Sequence, residues 1–437
     1  MANVLTTAFS TNPLTDAIIE RYMHSKVLSI AMKSTVFWKL GRMVTVPKGE
    51  SKTITFQRFE RLPTPRKPLS EGVTPTGKKL TVSKVPIILE QWGDFVTLTD
   101  VVELTVRHEP VQRALELIGL DAAMTVDREV QRVLRAASNV FFPNGKTSRA
   151  TLAATDVLTT PFLRKILANL KNGGAPAYEG NRYVGIIDPF LSADIQADST
   201  FVPAAQYSNL SALQDAEVGV WQKIRWMESN NMPAITQDAA VNPSGSTALD
   251  TASAGETALA DDDYDVRLAG LDSNGFEVSY SAADNSLATS STQVIKVVTP
   301  AFPDGIVGYN VYVNKAGGEF YLQAQDVGES TAVYINGGGT HLTTDDANDG
   351  SYEFTETSSV CEGKPAASVE VHYGWIFGNE YYSCTELSGI QVLKTPPGAQ
   401  KGDELDQRRS LGWKAFFKAG ITNQDFGCRF ECCTANS

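Results

Sequence analysis

Few stretches of this 437-residue chain combine residue types and spacings that could do chemistry. Phe142-Pro143-Asn144-Gly145-Lys146-Thr147 ends like a phosphate-cradling loop. The glycine that such a loop needs at its start is replaced by Val140, and no apolar strand precedes it. His24, His108, His341 and His372 are too scattered for metal-ligand spacing. There is no Gly-x-Ser-x-Gly elbow and no Gly-x-Gly-x-x-Gly after a strand. Asp403-Glu404-Leu405-Asp406 could hold a cation, but Gln407, Arg408 and Arg409 beside it favour a surface ion-pair loop. Asp261-Asp262-Asp263 with Asp265 lacks the glycine and spaced ligands of a calcium loop and reads as a solvated acidic linker. Asn209-Leu210-Ser211 matches a glycosylation acceptor, which has meaning only in an exported chain. Cys361, Cys384, Cys428, Cys432 and Cys433 are odd in number and lack paired zinc spacing. They read as free thiols buried as small hydrophobes in a reducing compartment. No catalytic residue, cofactor or metal ligand stands out, so no enzyme is expected.

What remains is charge. Residues 1–95 hold 14 Lys+Arg against 7 Asp+Glu, whereas residues 237–362 hold 3 against 20. The net charge of −12 averages over a basic front and a very acidic segment, which argues for separate domains with different neighbours. The basic excess gathers at Arg61, Arg66, Lys67, Lys78 and Lys79. Such a cluster suits phosphate binding, the carboxylates of a neighbouring copy, or a solvated turn. Few aromatics interleave it, which weakens a nucleic-acid groove. Pairing between subunits is the favoured reading.

The cluster sits at the tip of a two-stranded arm over residues 44–100. Val44–Val46 and Thr53–Phe59 lead out, and Leu80–Trp92 return. Pro63, Pro65, Pro68 and Pro75 remove donors at the tip and bar regular pairing. An isolated hairpin is marginal in water, so the arm is expected to find its partner on another molecule. Before it, Leu14 to Met32 carries a helical signal, with Ile18, Ile19, Tyr22, Met23 and Leu28 on an incomplete apolar face. After it, Val111, Leu115, Ile118, Ala122, Val126, Val130, Val133 and Ala137 predict one long helix between Pro110 and Ser138. Its opposite face, with Arg113, Asp121, Asp127, Arg128, Arg132 and Arg135, is a solvated or contact face.

Thr155 is a candidate cap for a helix over Val157 to Asn172, stopped by Gly173-Gly174. Tyr183–Ile187 is apolar throughout, so a strand buried on both faces is expected. Asp188-Pro189 then caps a short helix, and residues 215–229 return as strand. At Ala239 the composition changes. Short alternating runs at Tyr264–Ala269, Phe276–Tyr280, Val294–Thr299, Tyr309–Val313, Glu319–Ala324 and Thr331–Ile335 are separated by glycine-rich turns. That pattern predicts a β-sandwich, inserted into a domain that resumes after Gly363-Lys364-Pro365. Gly308-Tyr309-Asn310-Val311-Tyr312-Val313 resembles fibronectin type III and related immunoglobulin-like modules. Both ends of such an insert must lie close together. No basic region followed by an apolar run opens the chain, so no signal peptide is expected. No apolar stretch approaches the roughly 20 residues of a membrane span.

One set of residues carries a resemblance. Leu69-Ser70-Glu71-Gly72-Val73-Thr74-Pro75-Thr76-Gly77-Lys78-Lys79-Leu80, then Trp92-Gly93-Asp94-Phe95-Val96-Thr97-Leu98-Thr99-Asp100-Val101, resemble the major capsid proteins of tailed bacteriophages, in the family typified by coliphage N-four. Asp188-Pro189, Glu217-Val218-Gly219, Asp406-Gln407 and Gly412-Trp413-Lys414 match further landmarks in order. The likeness spans roughly residues 10–236 and 364–431; Glu404 departs from it, standing where the family commonly has proline. The resemblance implies an α+β chain with the Hong Kong 97-type capsid fold. Its parts would be an N-terminal arm (1–43), an extended hairpin loop (44–100), a peripheral domain with a spine helix (101–150), an axial domain in two pieces (151–238 and 363–405), and a C-terminal return to the peripheral domain (406–437). The sandwich at 239–362 lies outside the likeness. The function implied is a shell protein that self-assembles through hexamers and pentamers into the icosahedral head around phage double-stranded DNA. Portal, scaffolding or decoration proteins are further partners on this reading, DNA contact is non-specific, and no cofactor or membrane enters. The location implied is the virion, after assembly in the host cytoplasm. Candidate contacts between subunits are Arg58, Arg61, Arg66, Lys67, Glu71, Lys78 and Lys79 on the arm, and Arg113, Arg128 and Arg132 on the helix. A protein-storage nanocompartment and an immunoglobulin-domain adhesin are the alternatives.

Overall fold

The computed structural model describes residues 35–47, 52–59, 62, 77–99, 110–178, 182–197, 201–203, 217–243, 248–252, 256–282, 284–290, 292–315, 317–339, 350–353, 361, 363–366, 369–394 and 408–435. It is a mixed α+β chain, rich in strands. It divides into two compact units: residues 1–139, 170–183 and 377–428 form the first, and 140–169, 184–376 and 429–437 the second.

In unit one we label α1 (Phe37–Leu40), α2 (Pro110–Arg135), β1 (Arg42–Thr45), β2 (Thr53–Phe59), β3 (Val82–Ile88), β4 (Glu90–Thr99), β5 (Tyr382–Lys394) and β6 (Arg408–Ile421). Proline opens α2, where its missing N–H costs nothing. The 3.6-residue period then turns Leu115, Ile118, Ala122 and Val126 onto one side. That side packs on β6, whose period of two turns Leu411, Trp413, Ala415 and Phe417 inward. The sheet runs β1-β5-β6-β4, with β1 parallel to β5 and the other pairs antiparallel. Two register shifts interrupt β5 against β6 between Glu386 and Gln391.

The arm is therefore shorter than the sequence predicts. β2 and β3 pair as a separate two-stranded sheet, from Thr53 opposite Ile88 to Phe59 opposite Val82. The flanking stretches belong to the four-stranded sheet instead: β1 lies on β5, and β4 lies on β6 with Trp92 opposite Ala415. Their partners come from beyond the acidic segment, so local pattern could not reveal them. The same pairing joins β5 and β6, which the family-based division assigns to different parts, in one sheet. At the root of the arm Ile87 is buried against Gly420, and the Leu89 N–H donates to the Lys52 carbonyl at 3.0 Å. Residues 14–32, 63–76 and 403–406 lie outside the described residues.

Unit two is organised on a seven-stranded sheet in the order Val140–Phe141, Gly427–Cys432, His372–Phe377, Tyr183–Ile187, Ile224–Glu228, Glu217–Trp221, Val202–Pro203. Tyr183–Ile187 is buried at every position, as a central strand covered on both faces must be. Asp188 caps the helix Pro189–Gln196 by accepting from the Leu191 N–H at 3.2 Å. Gln222 and Lys223, at φ 50° and 65°, make the mirror-type turn of a tight hairpin. The helix expected from Val157 begins at Thr160. Asp156 is occupied by the Asn144 amide and the Ala153 N–H, and Val157 bridges to Cys433, so the chain is held extended there.

Between the two passes of this sheet, residues 236–353 form a two-stranded sheet, in which Glu256–Thr257 pairs with Gly338–Gly339, and two larger ones. One runs Thr236–Asp238, Glu277–Ser281, Asp263–Leu271, Gly308–Lys315, Tyr321–Val327, with Asn285–Ala288 also on Asp263–Leu271. The other runs Ala248–Thr251, Gln293–Val298, Ala332–Asn336, Gly350–Glu353. Val266, Leu268, Val311 and Val313 from the first share a core with Ile295, Val297, Val333 and Ile335 from the second. Entry and exit meet: Ile235 and Val371 exchange two backbone hydrogen bonds of 2.9 Å. On the exit side Lys364 donates to the Asp284 carboxylate at 3.2 Å, which also takes the Arg267 guanidinium at 2.9 Å.

Candidate assembly surface

The stretches that looked chemical are used structurally. Asn144 and Gly145 take positive φ in a single 3-10 turn, and the Asn144 amide donates to Asp156 at 2.6 Å. His372 is buried with Nδ1 2.5 Å from the Asp188 carboxylate; the other three histidines lie outside the described residues. In the acidic run, Asp262 accepts from the Asp263 N–H and Asp265 from the Ser286 hydroxyl. Among the described residues no three His, Cys, Asp or Glu side chains gather as a metal site would require. Burial pushes the Cys361 and Cys433 thiols up to about 11 and the Cys384 thiol higher still. Protonated thiols at neutral pH are poor nucleophiles.

The surface of unit one carries the other candidates. Arg58, opposite Ser83 toward the far end of the β2–β3 ladder, reaches Asp425 at 3.3 Å. Lys78 and Lys79 are exposed, whereas Arg61, Arg66, Lys67 and Glu71 lie outside the described residues. On α2, Arg113 donates to Glu116 at 3.1 Å, one turn along. Arg128 and Arg132 lie 5.7 and 5.9 Å from the Trp92 ring centroid, within cation–π range. Arg132 also donates to buried Glu129 at 2.8 Å. Burial raises the Glu129 carboxyl, and the nearby cations Arg132, Lys418 and Arg128 pull against it. Lys418 extends the network to Glu90 of β4 at 2.8 Å. Arg128 and Arg132 thus fasten β4 to α2 within the subunit, whereas the Arg113 side chain remains mostly in solvent.

Asp127 departs from its expected place on a solvated face. Its carboxylate accepts from the Val36 N–H at 2.9 Å and the Trp38 N–H at 3.3 Å, so the start of α1 covers it. Burial pushes this carboxyl up to about 6 against those hydrogen bonds. Asp121 is recruited likewise, accepting from the Trp413 indole at 2.7 Å.

Sequence reasoning missed the apolar part of the surface. Leu117, Leu120 and Met124 are exposed on the face of α2 that reads as charged, and Phe95 and Val96 project from β4. The signal was available: 117, 120 and 124 follow helical spacing out of phase with the core positions. A cavity of about 260 Å³ also opens in unit one beside the irregular stretch of β5, walled by Trp38, Met43, Val126, Ile390, Ala415 and Phe417. Thr35, Lys39, Glu386, Ser388 and Gly389 complete its lining.

No family model and no curated protein matches the chain. Solved structures do align along most of it. The capsid of Ralstonia phage GP4 is 9% identical at a TM-score of 0.48, covering 92% of each chain. The head structure of Helicobacter pylori bacteriophage KHP40 is 8% identical at 0.44, covering 92% of this chain and 91% of that one. The capsid of cyanophage P-SCSP1u is 11% identical at 0.43, covering 92% and 89%. At such identities, and with these TM-scores below 0.5, the likenesses assign neither family nor function.

Proposed function

We propose that this chain is the shell protein of a tailed-phage head, assembling through hexamers and pentamers into an icosahedral container for double-stranded DNA. The observation that carries the reading is the β2–β3 arm: seven residue pairs of antiparallel ladder with only its root buried, leading to the motif Leu69 to Leu80. Holding such an arm in order costs about 1–2 kcal/mol per backbone residue. A neighbouring copy laid across it offsets that cost, and the basic tip suits a neighbour's carboxylates. Repetition by symmetry then lets modest contacts close a shell. The parts are those of the Hong Kong 97-type fold: an extended loop within 44–100, a peripheral domain with α2 as its spine, and an axial domain around the seven-stranded sheet. The acidic insert, with an immunoglobulin-like character, faces outward, because packaged DNA would repel it. The role is structural, in the virion.

Electron microscopy of the expressed chain tests the reading. Closed shells are expected, with DNA inside in an infected lysate. Monomers at every concentration, also with the phage's scaffolding protein present, would refute it. Replacing 239–362 by a short linker across the Ile235–Val371 bridge should leave shells intact. Loss of shells from a folded deletion variant would instead make the insert an assembly element.

A further inference from the structure

The cavity in unit one follows from the irregularity of β5. From Glu386 to Gln391 that strand takes five steps, whereas its partner β6 takes three, from Phe417 to Lys414. The two surplus residues leave the ladder, as in a β-bulge, and the strand bends there. Ser388, Gly389 and Ile390 of this stretch border the space, together with Ala415 and Phe417 of β6. A further wall is α1, where Trp38 stands edge-on to Phe417, with ring centroids 5.5 Å apart and planes at 84°. That wall is pinned. The Asp127 carboxylate accepts from the Val36 and Trp38 N–H groups, and the Tyr382 hydroxyl donates to the Phe37 carbonyl at 2.6 Å.

Size and chemistry select what enters. At about 260 Å³ the cavity exceeds the roughly 150 Å³ that takes up benzene when its lining is apolar, which leaves room for a second fused ring. The rings of Trp38 and Phe417 present a face and an edge to an aromatic guest. The charged side chains of the lining, Lys39 and Glu386, are opposite in sign. An ion would give up its water for walls with no net charge, so a neutral guest is favoured. Glu386 accepts only a long hydrogen bond from the Thr45 hydroxyl, at 3.4 Å, and a carboxylate has acceptor capacity for more. It can take an N–H from the guest.

We infer that this cavity is a binding site for a neutral, flat aromatic compound of two fused rings with an N–H donor, held between Trp38, Phe417 and the bulge of β5. The guest touches α1, β5 and β6 together, so its binding stabilises unit one in the folded state. The site belongs to the free subunit, whatever the chain assembles into.

The test uses indole as the probe and the full chain diluted below any assembly. One saturable site per chain is expected in a calorimetric titration, with a melting temperature that rises with indole concentration. Trp38→Leu removes an aromatic wall at a half-buried position and should weaken indole by about ten-fold. Glu386→Ala, a change at a partly exposed residue, should also weaken indole. It should leave indene, which has CH2 in place of the N–H, bound as before. Neither a saturable heat nor a rise in melting temperature up to the solubility limit of indole would overturn the inference. Binding that neither substitution weakens would overturn it too, because the probe would then sit elsewhere.

Discussion

The sandwich and the arm are both made of short, mostly antiparallel strands, and they bury themselves in opposite ways. In the sandwich each sheet turns one face toward the other, so Val266, Leu268, Val311, Ile295, Val297 and Ile335 are fully buried. In the arm β3 alternates between exposed and half-buried positions, and only Ile87 near its root reaches the interior. The period of two is present in both. What differs is a second layer, and a two-stranded ribbon without one is marginal on its own. The comparison separates strands covered by a second layer from those of β2–β3, which lack one.

The largest effect that would test this contrast is a pair of truncations. Leu268→Ala in the sandwich should cost about 2–5 kcal/mol, from lost burial plus the cavity left behind. Ile88→Ala on the arm, where the side chain is 55% exposed, should stay within about 0.5 kcal/mol. Urea denaturation of the free subunit measures both. Similar midpoints for the two variants would mean that the arm has a hidden layer of its own.

A smaller effect tests the root. A side chain at Gly420 would run into Ile87, the residue that seats the arm on β6. Gly420→Val should cost about 1–3 kcal/mol by overpacking. It should also speed amide exchange in β2 and β3 while leaving the sandwich amides unchanged. Equal acceleration in both regions would show that the arm is not separately rooted.

How much of this was legible in the sequence follows from the range of the interactions. The long helix could be read because its period is local, and six sandwich strands because each run sits between turn signals. The α+β class followed from those elements. The fate of 44–46 and 90–99 could not be read, because β1 and β4 find their partners in β5 and β6, beyond the insert. Periodicity puts Asp127 on a solvated face for the same reason: what buries it is backbone from residues 36–38, which a helical repeat cannot report. For the surface candidates, residue type marks the cations but not their partners. Arg128 and Arg132 hold Trp92, and the exposed leucines between the charges carry no charge signal to draw attention to them.

Buried charge in the body of unit one gives a third, pH-dependent contrast. Asp127 titrates at about 6 in the folded chain, against an ordinary aspartate value of 3.8. As pH falls from 7 the folded state takes up this proton first, so the stability contributed by Asp127 rises down to about pH 4 and is lost again as pH climbs through 6. The raised carboxyl of Glu129 acts in the same direction. The Asp127 contribution is on the order of 3 kcal/mol in full, of which about 2 kcal/mol falls between pH 4.5 and pH 7. Asp127→Asn should flatten the difference between melts at pH 4.5 and pH 7, whatever it does to the absolute midpoint. An unchanged slope would place the pH dependence elsewhere.

The smallest effect concerns Arg58 and Asp425, whose side chains are 40% and 60% exposed at 3.3 Å. A solvated pair of this kind contributes about 0.2–1 kcal/mol and is screened by salt. Arg58→Ala should therefore barely move the denaturation midpoint of the free subunit, and the little it does should vanish in high salt. If Arg58 serves a neighbouring copy instead, the same substitution should weaken association while the free subunit melts unchanged. Sedimentation of the variant beside Asp425→Ala separates the two cases. An equal small loss of subunit stability in both variants, with normal assembly, assigns Arg58 to its own subunit. A defect in assembly from Arg58→Ala alone shows that the arm's cations act outward, because the partner they then need is not Asp425.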